Sequence, residues 1–360
     1  MIVVDAHEDI AYNALTFHRN YLQSALATRE AEAGSQTPTY TGQCMLGLPE
    51  WFLGRVAIIF GVLFAGPTRL RKYNWSTQVY ADAAEAHRVY SGQLDFYHRL
   101  SDEHSQFALV ASRADLEAVL QTWNDPMDIA RRRIGLVPLM EGADGIREPR
   151  EAEAWMERGL RIVGLSWAGT RYAGGTGEPG PLTDDGRALL EVMGDVGLML
   201  DLSHASEQSF FEALERFDGT VLASHSNPRA VCQPRVAERN LSDAQIRALA
   251  ERGGVMGIVP YNALLKTGWA KSDGKHAATM LDVAAAIDHV CQVTGSAVHV
   301  GLGSDFDGGF GAESTPAGID TVADLMHLDG ALAERGYSPT EVEAVLGGNW
   351  IALLRRGLPA

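Results

Sequence analysis

Eight short apolar runs, each followed by a polar or glycine-rich loop and then by an amphipathic segment, limit what this chain can fold into. They are Ile2–Asp5, Arg55–Phe64, Ile134–Met140, Arg161–Ser166, Leu198–Leu202, Val221–Ser224, Val255–Val259 and Val298–Leu302, with a shorter run at Phe107–Val110. Their continuous rather than alternating apolarity suits strands buried on both faces, as in a parallel sheet. The intervening segments carry helix-start signals. Ser76 precedes a helix-like stretch from Thr77 to Leu100, and Thr183 precedes Asp184 and Asp185, whose charge suits a helix N-terminus. Ser242 with Gln245, and Ser338 with Glu341, read as capping boxes. Eight strand–helix alternations with no Pro/Gly/Ser linker predict a single (β/α)8 TIM-like barrel over residues 1–360. A doubly wound open sheet is the competing architecture.

Composition narrows the partners. A formal charge of −16 disfavours nucleic acid and anionic membrane surfaces. The cysteines are three, Cys44, Cys232 and Cys291, with no CxxC pair, which points away from a disulfide framework and toward a reducing compartment. The most apolar later window, Val56 to Ala65, is about half of what a bilayer span needs. The first residues run directly into a polar cluster without a signal-like apolar stretch. The expectation is a cytoplasmic protein that does not engage membranes.

The chemistry lies at the C-terminal ends of the strands. The first ends in Asp5-Ala6-His7-Glu8-Asp9, the third in Glu141-Gly142-Ala143-Asp144 and the fifth in Asp201-Leu202-Ser203-His204. The sixth ends in Ser224-His225-Ser226 and the eighth in Gly303-Ser304-Asp305-Phe306-Asp307-Gly308. A lone histidine at a strand end is usually structural, and Glu141 alone could cap the next helix. Metal-ligand types at five strand C-termini are a different matter, because in a barrel those ends converge on one face. Residues two apart on an extended chain point the same way, so His7 and Asp9 can grip one ion together. His204 and His225 can hold a second ion, and the Glu141 carboxylate can bridge the two. Nitrogen and oxygen donors of this kind suit two Zn2+ or related divalent first-row ions. A hydroxide between two such cations forms near neutral pH and can attack a carbonyl. The other eight histidines lie in helix-like or loop segments, or, for His299, at the opposite end of the barrel.

These motifs, with Gly54-Arg55-Val56 and Arg239-Asn240, resemble the membrane (renal) dipeptidase family, the M19 metallopeptidases. The resemblance runs from the first strand to Gly348-Asn349; residues 18–53, 66–75 and 266–278 carry little of it and are expected to form variable loops. It implies His7, Asp9 and a bridging Glu141 on one zinc, with Glu141, His204 and His225 on the other. It also implies that Asp305 handles the proton passing to the departing amine, and that Arg239 binds the carboxylate of a dipeptide-like substrate. A homodimer is a further family-level expectation. The chain departs from the pattern at one point. Where the renal enzyme's pattern has Leu-Thr-His, this chain has Leu165-Ser166-Trp167, replacing a histidine expected to touch the substrate with an indole. The leading expectation is a zinc dipeptidase acting through a metal-bridging hydroxide, with Trp167 at the substrate. The alternatives are a binuclear hydrolase of another small amide, an acyl amino acid or a lactone, and a metal-binding protein of the same fold that has lost catalysis.

Overall fold

The computed structural model describes residues 1–71, 74–125 and 127–360. All eight apolar runs become parallel strands: β1 (Val3–Glu8), β2 (Val56–Phe64), β3 (Ile134–Glu141), β4 (Ile162–Gly164), β5 (Met199–Asp201), β6 (Val221–Leu222), β7 (Met256–Ile258) and β8 (Val300–Leu302). They pair in the order β6-β5-β4-β3-β2-β1-β8-β7. A parallel bridge from Ala223 to Met256 joins the two ends of that path, so the sheet forms a nearly closed barrel. Every residue of β1 and β3 is buried, as expected for strands covered on both faces.

The ninth run, Phe107–Leu109, pairs with the N-terminal half of β3, opposite Ile134 to Leu136. β4 takes the C-terminal half of the same edge, opposite Leu139 to Glu141. One long strand therefore serves two short neighbours, and Glu141 is left at its tip.

Helices surround the barrel, and their starts follow local chemistry. Ser242 and Ser338 close both expected capping boxes. Thr183 accepts from the Gly186 amide. The long helix after β2 begins later than its sequence suggests, at Ala83, where the Asp82 side chain accepts from the Glu85 amide. The residues from Ser76 onward do other work. Val79–Tyr80 pairs with Gly66–Pro67, and Leu70, Trp75 and Ser76 line the cavity at the barrel mouth. Tertiary pairing here overrides a weak local cap. Among the described residues, no helix is long and apolar enough to cross a membrane.

Candidate metal centre and active site

His7 stands near the C-terminal end of β1 and Glu141 ends β3; Asp9, His204, His225 and Asp305 lie just beyond β1, β5, β6 and β8. The chain must bend sharply to aim some of these side chains inward. His204 and Asp305 both adopt left-handed backbone, with φ of 63° and 58°. Such conformations are uncommon outside glycine and persist where the surroundings enforce them. Gly308 is needed for a related reason: a Cβ there would collide with Asp305 Oδ1 and Asp9 Oδ2.

The barrel brings these groups together. Glu141 Oε1 lies 3.0 Å from His204 Nε2, 3.2 Å from His225 Nε2 and 3.8 Å from His7 Nε2. His7 Nε2 is also 3.9 Å from Asp9 Oδ2 and 4.0 Å from Asp305 Oδ1. The His7 and His225 rings overlap at a centroid distance of 3.5 Å. Two tight ligand triads emerge, His7–His225–Asp305 and Glu141–His204–His225. His225 belongs to both triads, and Asp9 Oδ2 is as near to His7 Nε2 as Asp305 Oδ1 is.

The far side of each imidazole explains its orientation. Ser224 Oγ donates to Asp201 Oδ2 at 2.5 Å. Its two lone pairs can then accept from His225 Nδ1 at 2.8 Å and His7 Nδ1 at 3.3 Å. Thr176 Oγ1 lies 3.0 Å from His204 Nδ1. With each Nδ1 carrying its proton outward, all three Nε2 lone pairs face the cluster, the arrangement metal ligation needs. Asp201 is held in turn by the Ser203 and Ser224 amides. The sequence reading assigned no role to Ser224 or Thr176. Thr176 sits in the turn of a hairpin formed by Ala173–Gly175 and Glu178–Leu182. Gly257 and Gly303 are a usable signal for Ser224, because a Cβ at either position would strike its carbonyl oxygen.

The electrostatics fit a cation. Burial, then the neighbouring Asp305 charge, pushes Asp9 well above the usual carboxylate range; burial, then Asp9 and Asp305, does the same to Glu141. Burial pushes all three imidazoles well down, so they stand neutral, their ligating form. Asp305 is pushed up to about 7 by burial and by Asp5, against the pull of Arg239. Buried carboxylates this close need compensating positive charge. His7 Nε2 is buried with no hydrogen-bond partner, facing three carboxylates at distances too long for hydrogen bonds. That gap and donor set fit a divalent ion.

Arg239 reaches the same space from the loop after β6. Its Nη1 donates to the His225 carbonyl at 2.7 Å, and Nη2 lies 3.8 Å from Asp305 Oδ2 without a hydrogen-bond partner. Trp167, half-buried after β4, packs edge-on to Phe64 at 5.1 Å and lies 6.3 Å from the His204 ring. Asp9, Glu141, His204, Arg239, Asp305 and Trp167 all line one cavity of about 490 Å³. Asp307 is taken up elsewhere, accepting from Tyr21 at 2.7 Å and pairing with Arg19 at 2.9 Å.

A parallel barrel with such a cluster at its C-terminal mouth defines a metal-dependent hydrolase. Residues 1–356 match the family described as membrane dipeptidase (peptidase family M19), and the chain belongs to that family of metallo-dipeptidases. A Klebsiella pneumoniae protein, described as an uncharacterized protein in the pqqA 5′ region, is 32% identical over 245 residues, 63% of this chain and 85% of its own. Dipeptidase tcpJ of Claviceps purpurea is 29% identical over 67% of this chain and 57% of that longer one. The crystal structure of dipeptidase AC, an M19 metallopeptidase, superposes with a TM-score of 0.78 at 25% identity, covering 100% of this chain and 99% of the other. A metallopeptidase from Rhodobacter sphaeroides, liganded with a phosphinate mimic of L-Ala-D-Ala, shares the fold with a TM-score of 0.74 at 23% identity, covering 99% of each chain.

Proposed function

We propose that the chain is a zinc-dependent dipeptidase that cleaves the amide bond of a small dipeptide. One observation carries the reading: a buried guanidinium with an unsatisfied Nη2 shares a dipeptide-sized cavity with a ligand cluster whose His7 Nε2 is also unsatisfied. Leaving a buried donor unpaired costs about 1–3 kcal/mol, a cost that a bound carboxylate would remove. The guanidinium fork suits that partner.

In this reading His7 and Asp9 hold one ion, His204 and His225 the other, and Glu141 lies between them. When bound, the ions would polarise the scissile carbonyl and bring a water held between them to hydroxide near neutral pH. The protein's own groups do the rest. Arg239 fixes the carboxylate end, which sets the register of the carbonyl over Glu141. Asp305, 17% exposed along its side chain, faces the cavity and can take up a proton and release it to the departing amine. Three free cysteines fit a reducing, cytoplasmic setting.

The test uses zinc-loaded protein with L-L and L-D dipeptides, their C-terminal amides, N-acyl amino acids and lactones, each with and without chelator. Chelator-sensitive cleavage of free dipeptides, with the amides cut poorly, is the expected pattern. Lactones or acyl amino acids turned over faster than any dipeptide would favour the alternative hydrolase, an outcome made specific by Trp167. A second expectation concerns Ser224→Ala. Losing the acceptor that orients both His7 and His225 should weaken metal affinity by roughly 10- to 100-fold, read by competition with a chromogenic chelator. Unchanged affinity would remove Ser224 from the site.

A further inference from the structure

The cavity has two unlike walls. The polar wall is formed by the ligand cluster, Asp305 and Arg239. The other is largely aromatic: Tyr12, Phe64, Leu70, Trp75 and Trp167 line it, with Arg71 and Ser76 on the same segment as Leu70 and Trp75. Tyr12 and Phe64 lie 5.7 Å apart and Phe64 and Trp167 5.1 Å, forming a continuous ledge. Trp75 is braced from behind, stacked on Tyr40 at 4.9 Å. Gly66 and Pro67, which also line the cavity, pair with Val79 and Tyr80.

The barrel order decides which part of a substrate meets this wall. Arg239 approaches from the β6–β7 arc. Tyr12 follows β1, Phe64 ends β2 and Trp167 follows β4, on the arc across the mouth. Glu141 ends β3, between the strands that carry Phe64 and Trp167, and His225 follows β6 beside Arg239. A dipeptide with its carboxylate on Arg239 and its carbonyl over Glu141 would place its acyl half, the N-terminal residue, against the aromatic ledge that flanks Glu141.

Resting on the dipeptidase reading, we propose that this wall selects dipeptides with a bulky apolar N-terminal side chain, and that Trp167 is the specificity-determining residue. An indole offers a broad apolar face where a histidine would offer a small polar ring. The selected class is an aromatic or branched residue followed by a small one. Apolar pockets discriminate by modest factors per group, so a step of about tenfold or more is the scale expected between a phenylalanyl and an alanyl substrate.

Calorimetric titration of the zinc-loaded protein with phosphinate mimics of Phe-Ala, Ala-Ala and Ala-Phe tests this without relying on turnover. The Phe-Ala mimic should bind about tenfold or more tighter than the Ala-Ala mimic, and the Ala-Phe mimic should show no such gain. Trp167→Ala should abolish most of the difference, while Trp167→Phe, which keeps an apolar ring and the packing on Phe64, should retain most of it. Three results overturn the inference alone: equal binding of all three mimics, tightest binding of Ala-Phe, or a Trp167→Ala variant that weakens Phe-Ala and Ala-Ala equally. If none of the mimics binds, the dipeptidase reading itself falls and takes this inference with it.

Discussion

Glu141→Gln should abolish most of the hydrolytic activity while leaving the barrel folded. The substitution keeps the side chain's shape, so packing at the end of β3 is preserved. It removes the negative charge that sits 3.0 Å from His204 Nε2 and 3.2 Å from His225 Nε2. It also replaces one carboxylate oxygen by an amide nitrogen, which cannot ligate as a carboxylate does. If Glu141 bridges two ions as proposed, its loss is felt by both, so metal analysis should find occupancy well below that of the parent. Transition-state stabilisation by metal is worth several kcal/mol; taking about 4 kcal/mol gives a loss near 10³-fold in kcat. Unfolding does not explain the loss, because a charge disfavoured by burial is being removed. Metal-free parent and variant should melt at similar temperatures. A variant with full zinc content and activity within about threefold of the parent would place the ions elsewhere, well outside the loss expected for a bridging ligand.

How far could this site be seen before folding? The barrel was legible because doubly buried strands leave continuous apolar runs, and all eight runs do form strands. The residues that gather at the barrel mouth were legible because His7, Glu141, His204, His225 and Asp305 each sit at or beside the end of such a run. The contact between His7 and His225 was not. Their rings overlap across more than half the chain, which brings His225 into both triads, and no local pattern announces it. The supports of the ligands were equally hidden. Ser224 reads as an ordinary strand-end serine until closure of the barrel sets it between Asp201 and two imidazoles. Thr176 lies in a glycine-rich stretch with no periodicity to place it.

The expected variable segments show the same limit. Residues 18–53 supply Arg19, Tyr21 and Met45, all of which bind the Asp307 carboxylate beneath the mouth. Residues 66–75 supply part of the cavity wall. Charge pairing and wall building at long range leave no local pattern, so these segments could be delimited but not interpreted. The delayed helix start at Ala83 has the same origin: Ser76 is spent on the wall, where its hydroxyl meets that of Tyr12 at 3.1 Å.

Asp305→Asn separates two roles that the geometry leaves superposed. The carboxylate stands 4.0 Å from His7 Nε2, within a ligand triad, and 3.8 Å from Arg239 Nη2, facing the cavity. Burial and Asp5 push it up to about 7 against the pull of Arg239. That value belongs to the metal-free protein, and bound cations would pull it down; it is the position of Asp305, beside the cluster and facing the cavity, that suits it to accept and return a proton. Asparagine tolerates the left-handed backbone at this position (φ 58°) better than alanine would, so the loop should keep its shape and the contact from the Asp305 amide to the His7 carbonyl. What disappears is the capacity to carry a proton. Loss of a positioned acid–base group costs typically about 10²–10⁴-fold, so kcat should fall within that range while KM changes little. Zinc content decides the role. Retention of the parent's full complement with collapsed kcat identifies Asp305 as the proton carrier. Loss of an ion together with activity would make it a ligand and move proton transfer to another group. Turnover within about threefold of the parent would exclude both, since neither loss is that small.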